Sequence, residues 1–240
     1  MTHVEIVTHC WRYAGLLACQ ASSLAHHPPQ DDVRVTLAVY CSREDERTIG
    51  LLDRLVDAEL PENVAVERRV LETPSLMRRA IGRNQAARGT RADVVWFADC
   101  DYLFRSGTLE ALVREIESRP DGMLYHPRQV LANADWAVGD ETIERAKSSS
   151  DWIDVDETKF SPRSYGRAIG GMQIVRGDVA RKHGYVPFGR FQTPIPTWQA
   201  TTEDVRFRKL LGPPQCAIDV PGVYRIRHSK RGYVEVGCEL

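Results

Sequence analysis

Two carboxylates one residue apart, Asp99 and Asp101, follow directly on Val94-Val95-Trp96-Phe97-Ala98. A short unbroken run of β-branched and aromatic residues reads as a strand buried on both faces, as in a parallel sheet. Open α/β sheets bind ligands beyond the carboxyl ends of their strands. Two acids at such an end suit a hard divalent cation. Mg²⁺ or Mn²⁺ takes one or two carboxylates and completes its shell with phosphate oxygens and water. The bland alternative is a strand-end turn whose acids cap a helix. The chain carries its own control: Asp154-Val155-Asp156 has the same spacing but lies in a polar stretch with no apolar run before it. By the context test for short motifs, that second pair is expected to be structural.

Positioning the first pair falls to alternating elements. Strands are expected at 4–8, 33–40, 64–71, 94–98 and 122–126, from their apolar, β-branched composition. Helices are expected between them: one ending at about Leu24, before His26-His27-Pro28-Pro29; one capped by Ser42, with Glu44 to Glu46 in its first turn; one from Thr73-Pro74-Ser75 to about Arg88, with Gly89 as C-cap; and one over 106–118. In the last, Leu109, Leu112, Val113 and Ile116 share a face. Strand–helix alternation of this kind implies an α/β fold with a mostly parallel central sheet flanked by helices. The second half is less regular. Residues 133–167 read as a long polar loop containing Lys147-Ser148-Ser149-Ser150, Trp136 and Trp152. Then come a strand over 170–175, a short helix over 177–183, a helix capped by Thr201 and Thr202, and strands over 217–220 and 223–227.

Length and composition fit this layout. At 240 residues, 42% hydrophobic and 27% charged, the chain suits one globular domain over 1–240. A net charge of −1 argues against a whole-surface nucleic-acid binder. No apolar run reaches the roughly 20 residues a membrane span needs. The six cysteines show no CxxC spacing, and the N-terminus has no secretory layout. A reduced, cytoplasmic setting is therefore expected.

The acids have company in a fixed order. Arg83-Asn84-Gln85 precedes them by one helix; Gly170-Gly171, Arg176 and Gly184-Tyr185-Val186-Pro187 follow; then come Thr202-Glu203-Asp204 and Arg225-Ile226-Arg227-His228-Ser229. This ordered set resembles the GT-A glycosyltransferases, most closely the family 2-like enzymes that use nucleotide-diphosphate sugars. The Gln-x-x-Arg-Trp motif of processive polysaccharide synthases is absent from the sequence, which favours single transfers to a soluble acceptor.

The resemblance implies a nucleotide-binding half, 1–128, an acceptor-binding and catalytic half, 129–240, and roles for single residues. Asp101 is the leading metal ligand, with Asp99 contacting the sugar or ribose and reaching the metal, and His228 completing the site for Mn²⁺ or Mg²⁺. The acid pair opening a helix supplies the general base, Asp204 first and Glu203 as alternative. Inversion at the anomeric carbon follows from a base opposite the leaving group. Thr8 and Cys10 at the first strand end, Asp45 at the second, and Arg83, whose guanidinium suits a diphosphate, are the expected donor contacts. Gly170 and Gly171 would let the backbone approach the sugar. Each has a plainer account: loop polarity, a solvated helix face or a strand bulge. The tryptophans Trp136, Trp152 and Trp198 are candidates for stacking on a sugar or base, with local packing as the commoner role. The basic cluster of Arg225, Arg227, Lys230 and Arg231 suits a diphosphate or a phosphorylated acceptor. The donor expected is a UDP-sugar; the acceptor stays open between a glycan, a small molecule and a modified DNA base. Two rivals remain: a nucleotidyltransferase, although 7–12 lacks the Gly-rich phosphate loop that such enzymes carry, and a non-catalytic nucleotide- or carbohydrate-binding module.

Overall fold

The computed structural model describes residues 1–30, 32–134, 141–148, 152–199 and 202–228. The expectations for Trp136, Ser149, Ser150, Thr201, Ser229, Lys230, Arg231 and Cys238 lie outside the described residues. The strands are β1 (Thr2–His9), β2 (Val33–Cys41), β3 (Val64–Val70), β4 (Val94–Phe97), β5 (Tyr102–Phe104), β6 (Leu124–Pro127), β7 (Gln129–Asn133), β8 (Phe160–Ser164), β9 (Gln173–Arg176), β10 (Gln215–Ile218) and β11 (Val223–Arg225). The helices are α1 (Ala14–His26), α2 (Glu46–Asp57), α3 (Thr73–Met77), α4 (Arg79–Gly89), α5 (Thr108–Glu117), α6 (Glu141–Ser148), α7 (Gly177–His183) and α8 (Glu203–Leu211).

Seven strands form the main sheet in the order β10-β6-β9-β4-β1-β2-β3. β1, β2, β3 and β4 pair in parallel, as do β6 and β10; β9 runs antiparallel between β4 and β6. The apolar runs are buried on both faces because side chains alternate across the pleat. Val94 and Trp96 join one core cluster, while Val95 and Phe97 join the other. All four apolar residues predicted to share a face of α5 are buried. Among the described residues, no helix is long and apolar enough to cross a membrane.

The chain runs from β1 outward through β2 and β3, then returns to place β4 on the other side of β1. The crevice between the carboxyl ends of β1 and β4 is thus the switch point at which open α/β sheets bind ligands.

Several local expectations need correcting. The N-cap of α2 is Asp45, not Ser42: its carboxylate accepts from the Thr48 amide. Ser42 instead shares a hydrogen bond with the Thr73 hydroxyl at 2.7 Å. The helix expected over 73–88 is two, because Arg78 leaves helical geometry at φ −97°, ψ 83°. Gly89 is the last helical residue, and Thr90 holds the C-cap position. The stretch expected to be a loop contains β7's end, α6 and β8. β5 was not foreseen either. It joins a four-stranded sheet in the order β5-β11-β7-β8. Three residues are too few to show a period, and Pro162 inside β8 masks a strand that sits on that sheet's edge, where proline is tolerated.

Candidate active site

At the switch point lies a cavity of about 620 Å³, within the range of small-molecule sites. Its wall is formed by His9 and Cys10 from the end of β1, Asp99 to Tyr102 after β4, Gly170 and Gly171 before β9, and Arg225, Arg227 and His228 from β11 onward. Arg79 enters from the start of α4, and Trp11 and Trp198 also line the cavity. β11 pairs antiparallel with β5, so the second sheet carries the C-terminal segment back over the acids; the Ile226 amide donates to the Asp101 carbonyl at 2.8 Å.

The two acids are held differently. Asp99 Oδ1 accepts from Arg79 at 2.9 Å and from Arg83 at 3.0 Å. Burial alone would raise its pKa; the two guanidinium groups overcome that and hold it at about 2. Asp99 is therefore a fixed anion. Asp101 is 4% exposed, and its Oδ2 accepts from Arg225 Nε at 3.0 Å. Burial lifts its pKa; Arg225 opposes this and the Asp99 charge adds to it. Its Oδ1 is buried with no hydrogen-bond partner. A buried carboxylate oxygen without a partner carries its full desolvation penalty, and a cation would satisfy it.

That orphan oxygen is the test of a metal site. Among the described residues, no three His, Cys, Asp or Glu side chains form a cluster able to hold a metal by themselves. Asp101 nevertheless lines the cavity, with the His228 ring on the same wall, edge-on to Tyr13 at 5.0 Å. Oxygen plus imidazole is a donor set for Mn²⁺, the remaining positions going to phosphate oxygens and water. The residues present would supply part of a metal's shell and leave its remaining positions to be filled from outside the chain.

The other expected residues separate into two groups. Cys10, Gly170 and Gly171 line the cavity. Gly171 is required there: a Cβ would lie 2.8 Å from the Asp99 amide nitrogen and 2.5 Å from Tyr102. Thr8, Asp45, Arg83, Glu203 and Asp204 are off the wall. Thr8 is fully buried. Asp45 Oδ2 accepts from the Arg12 amide and the Thr48 hydroxyl, each at 2.6 Å, so it ties the loop after β1 to α2. Arg83 is fully buried behind Asp99, where it orients the acid rather than reaching the cavity.

The acid pair at the start of α8 also divides. Glu203 is 2% exposed and lies 3.5 Å from Arg79 Nε, so Arg79 bridges it to Asp99. Asp204 has about a quarter of its side chain exposed, 3.7 Å from Arg208 in the next turn. Trp152 packs partly buried against the core, while Trp198 reaches the cavity.

Sequence reasoning missed Arg79, His9, Gln173 and Tyr185's bonding. Arg79 lies four residues before Arg83, one helical turn on the same face, and that spacing was a usable signal. His9 had none: its ring stacks on Tyr40 at 5.0 Å, and burial, with Arg83 and Arg79 adding to it, drives its pKa well below 6.5.

Against this geometry, the family profile described as glycosyl transferase family 2 matches residues 60–183, just over half of the chain. The chain belongs to glycosyl transferase family 2. No curated protein matches it. Among solved structures, Staphylococcus aureus TarS residues 1–349, in complex with UDP-GlcNAc, aligns with a TM-score of 0.56 at 12% identity, covering 99% of this chain and 62% of its own. Another S. aureus TarS structure gives 0.55 at 12%, covering 94% of this chain and 37% of its own. The mannosyltransferase PcManGT of Pyrobaculum calidifontis, in complex with GDP-Man and Mn²⁺, gives 0.55 at 14%, covering 96% and 58%. This chain thus spans between 37% and 62% of the length of those structures. The likeness identifies the fold as GT-A. Family membership argues against the nucleotidyltransferase reading.

Proposed function

We propose that the protein transfers a sugar from a nucleotide-diphosphate sugar to an acceptor hydroxyl, with inversion at the anomeric carbon. The observation that carries this is the pairing at one switch-point cavity of an arginine-locked anion, Asp99, with a buried acid, Asp101, whose Oδ1 lacks a partner. Family membership and the sugar-nucleotide complexes of the similar folds support the donor class. A UDP-sugar is the donor we favour, with a GDP-sugar next.

In this reading residues 1–128 hold the nucleotide and 129–240 supply the acceptor side and the base. Asp99, kept ionised, accepts hydrogen bonds from donor hydroxyls, and Gly170 and Gly171 bring the backbone against the sugar. Arg225 and Arg227 face the diphosphate, where charge-assisted bonds stabilise the charge that develops on departure. Asp101 and His228 would hold Mn²⁺ or Mg²⁺, which as a Lewis acid would stabilise the leaving diphosphate. Asp204 is the base. An acceptor hydroxyl must reach it, and its carboxylate is partly open whereas Glu203 is buried under Arg79. The acceptor proton passes to Asp204 as the acceptor oxygen bonds to the anomeric carbon, and the bond to the β-phosphate oxygen breaks, its electron pair leaving with the nucleoside diphosphate. The buried thiols of Cys10, Cys41 and Cys100 support a reducing, cytoplasmic setting.

The test is transfer from UDP- and GDP-sugars to a panel of glycan, small-molecule and modified-DNA acceptors, with the product examined by proton NMR. An inverted anomeric centre is expected; a retained one overturns the assignment of Asp204.

A further inference from the structure

We infer that Tyr185 and Gln173 are positioning residues, which set the start of α8 against Asp99 and so fix the base relative to the donor. This rests on the proposed function and adds to it how two separate segments keep a common geometry.

The chain of contacts is continuous. Arg83 donates to Asp99 Oδ1 at 3.0 Å and to the Tyr185 hydroxyl at 2.9 Å. The Tyr185 hydroxyl donates to Gln173 Oε1 at 2.7 Å, and Gln173 Nε2 donates to the Asp204 backbone carbonyl at 3.0 Å. Arg83, Gln173 and Tyr185 are fully buried.

The direction of these bonds is unique. The Asp204 carbonyl can only accept, so the amide nitrogen of Gln173 must face it. Its oxygen then faces Tyr185, whose one proton must point there, and the phenol oxygen is left to accept from an arginine that can only donate. No member can flip without stranding a buried donor or acceptor at a cost of about 1–3 kcal/mol. Burial also pushes the Tyr185 pKa up to about 12, which keeps the proton the relay requires. The second link between the same two places, Arg79 from Asp99 to Glu203, lies on the cavity wall at 2.9 and 3.5 Å. The buried relay is the one a ligand in the cavity cannot displace.

Packing makes the test clean. The Tyr185 ring lies 4.3 Å from that of Phe207 and 4.8 Å from that of Phe97, so Tyr185→Phe keeps the core and removes only the hydroxyl. Gln173→Met conserves volume and removes both amide bonds. With a donor and acceptor that the parent chain turns over, Tyr185→Phe is expected to lower kcat about tenfold, with nucleotide Kd within about twofold of the parent. Gln173→Met should match it, and the double variant should be no slower than either single, because a broken chain does not break twice. If Gln173→Met does not fold, Tyr185→Phe alone decides through its kcat against Kd split. A kcat within twofold of the parent in Tyr185→Phe, or losses that multiply in the double variant, would overturn the inference. A parent chain that transfers no sugar overturns the reading beneath it, a result distinct from active variants.

Discussion

The protein contains two Asp-x-Asp segments of identical spacing, and they do different things. Asp99 and Asp101 follow a strand buried on both faces and open onto a cavity, where arginines from α4 and β11 hold them. Asp154 and Asp156 lie in an irregular stretch. Asp154 Oδ1 accepts from Arg105 at 2.6 Å and from the Val155 amide at 2.8 Å; Asp156 Oδ1 accepts from the Thr158 amide at 3.0 Å and its hydroxyl at 2.6 Å. In the second pair Asp156 closes its own turn and Asp154 is held by Arg105. The first leaves one buried oxygen, Asp101 Oδ1, with no partner. What separates the two pairs is the unsatisfied group, and that comes from the strand and cavity rather than from the spacing.

Substitutions can break this contrast or sharpen it. The largest effect should come from Asp101→Ala, expected to lower transfer about 10³-fold because a charge-stabilising group is lost from the leaving-group side. Asp156→Ala should leave kcat within twofold; equal losses at the two sites would erase the distinction. Asp204→Asn comes next, with kcat reduced about 10²–10⁴-fold and nucleotide Kd unchanged, as for removal of a general base. Arg83→Met should act on stability. It removes one of the two guanidinium partners of a partly exposed Asp99 and leaves the buried Tyr185 hydroxyl short of a donor, so unfolding in denaturant is expected to show a loss of about 1–3 kcal/mol. Arg105→Met is the comparison on the other pair. Its partners Asp154 and Glu157 are both more than half exposed and recover water, so its loss should be smaller.

The smallest effect concerns pH. His9 has a depressed folded pKa, so it contributes stability that is whole above about pH 6.5 and fades as the pH falls below that value, where the unfolded chain takes up the proton first. His9→Gln is expected to flatten part of the decline in melting temperature between pH 7 and pH 5. An unchanged slope would show that His3, His27 and His126, also depressed by burial, carry it. Asp99 lies outside that window. Its contribution is present above about pH 4 and is lost only toward pH 2.

The first half of the fold was legible because each strand and helix repeats its period for long enough to be read. β1 to β4 and α5 appear where the apolar spacing puts them, and the acids fall at the predicted strand end. The second sheet was not legible. β5 has three residues, β8 contains Pro162, and their pairing depends on partners far away in sequence. In the site, the acids, the Gly-Gly approach and His228 were readable as types in order. Which acid each arginine faces was not, since the identity of a counter-ion is set by tertiary distance. Arg83 illustrates this: its position in the order was right, yet its side chain is behind Asp99 rather than in the cavity.

The central claim is that the cavity binds a nucleoside diphosphate through a metal held by Asp101. Calorimetric titration with UDP and with GDP, with and without Mn²⁺, on the parent and on Asp101→Ala, tests it most directly. Binding of one nucleotide that requires Mn²⁺ and vanishes in Asp101→Ala is the result predicted. Binding that is indifferent to both the metal and the substitution would contradict it and leave Asp101 as the structural partner of Arg225.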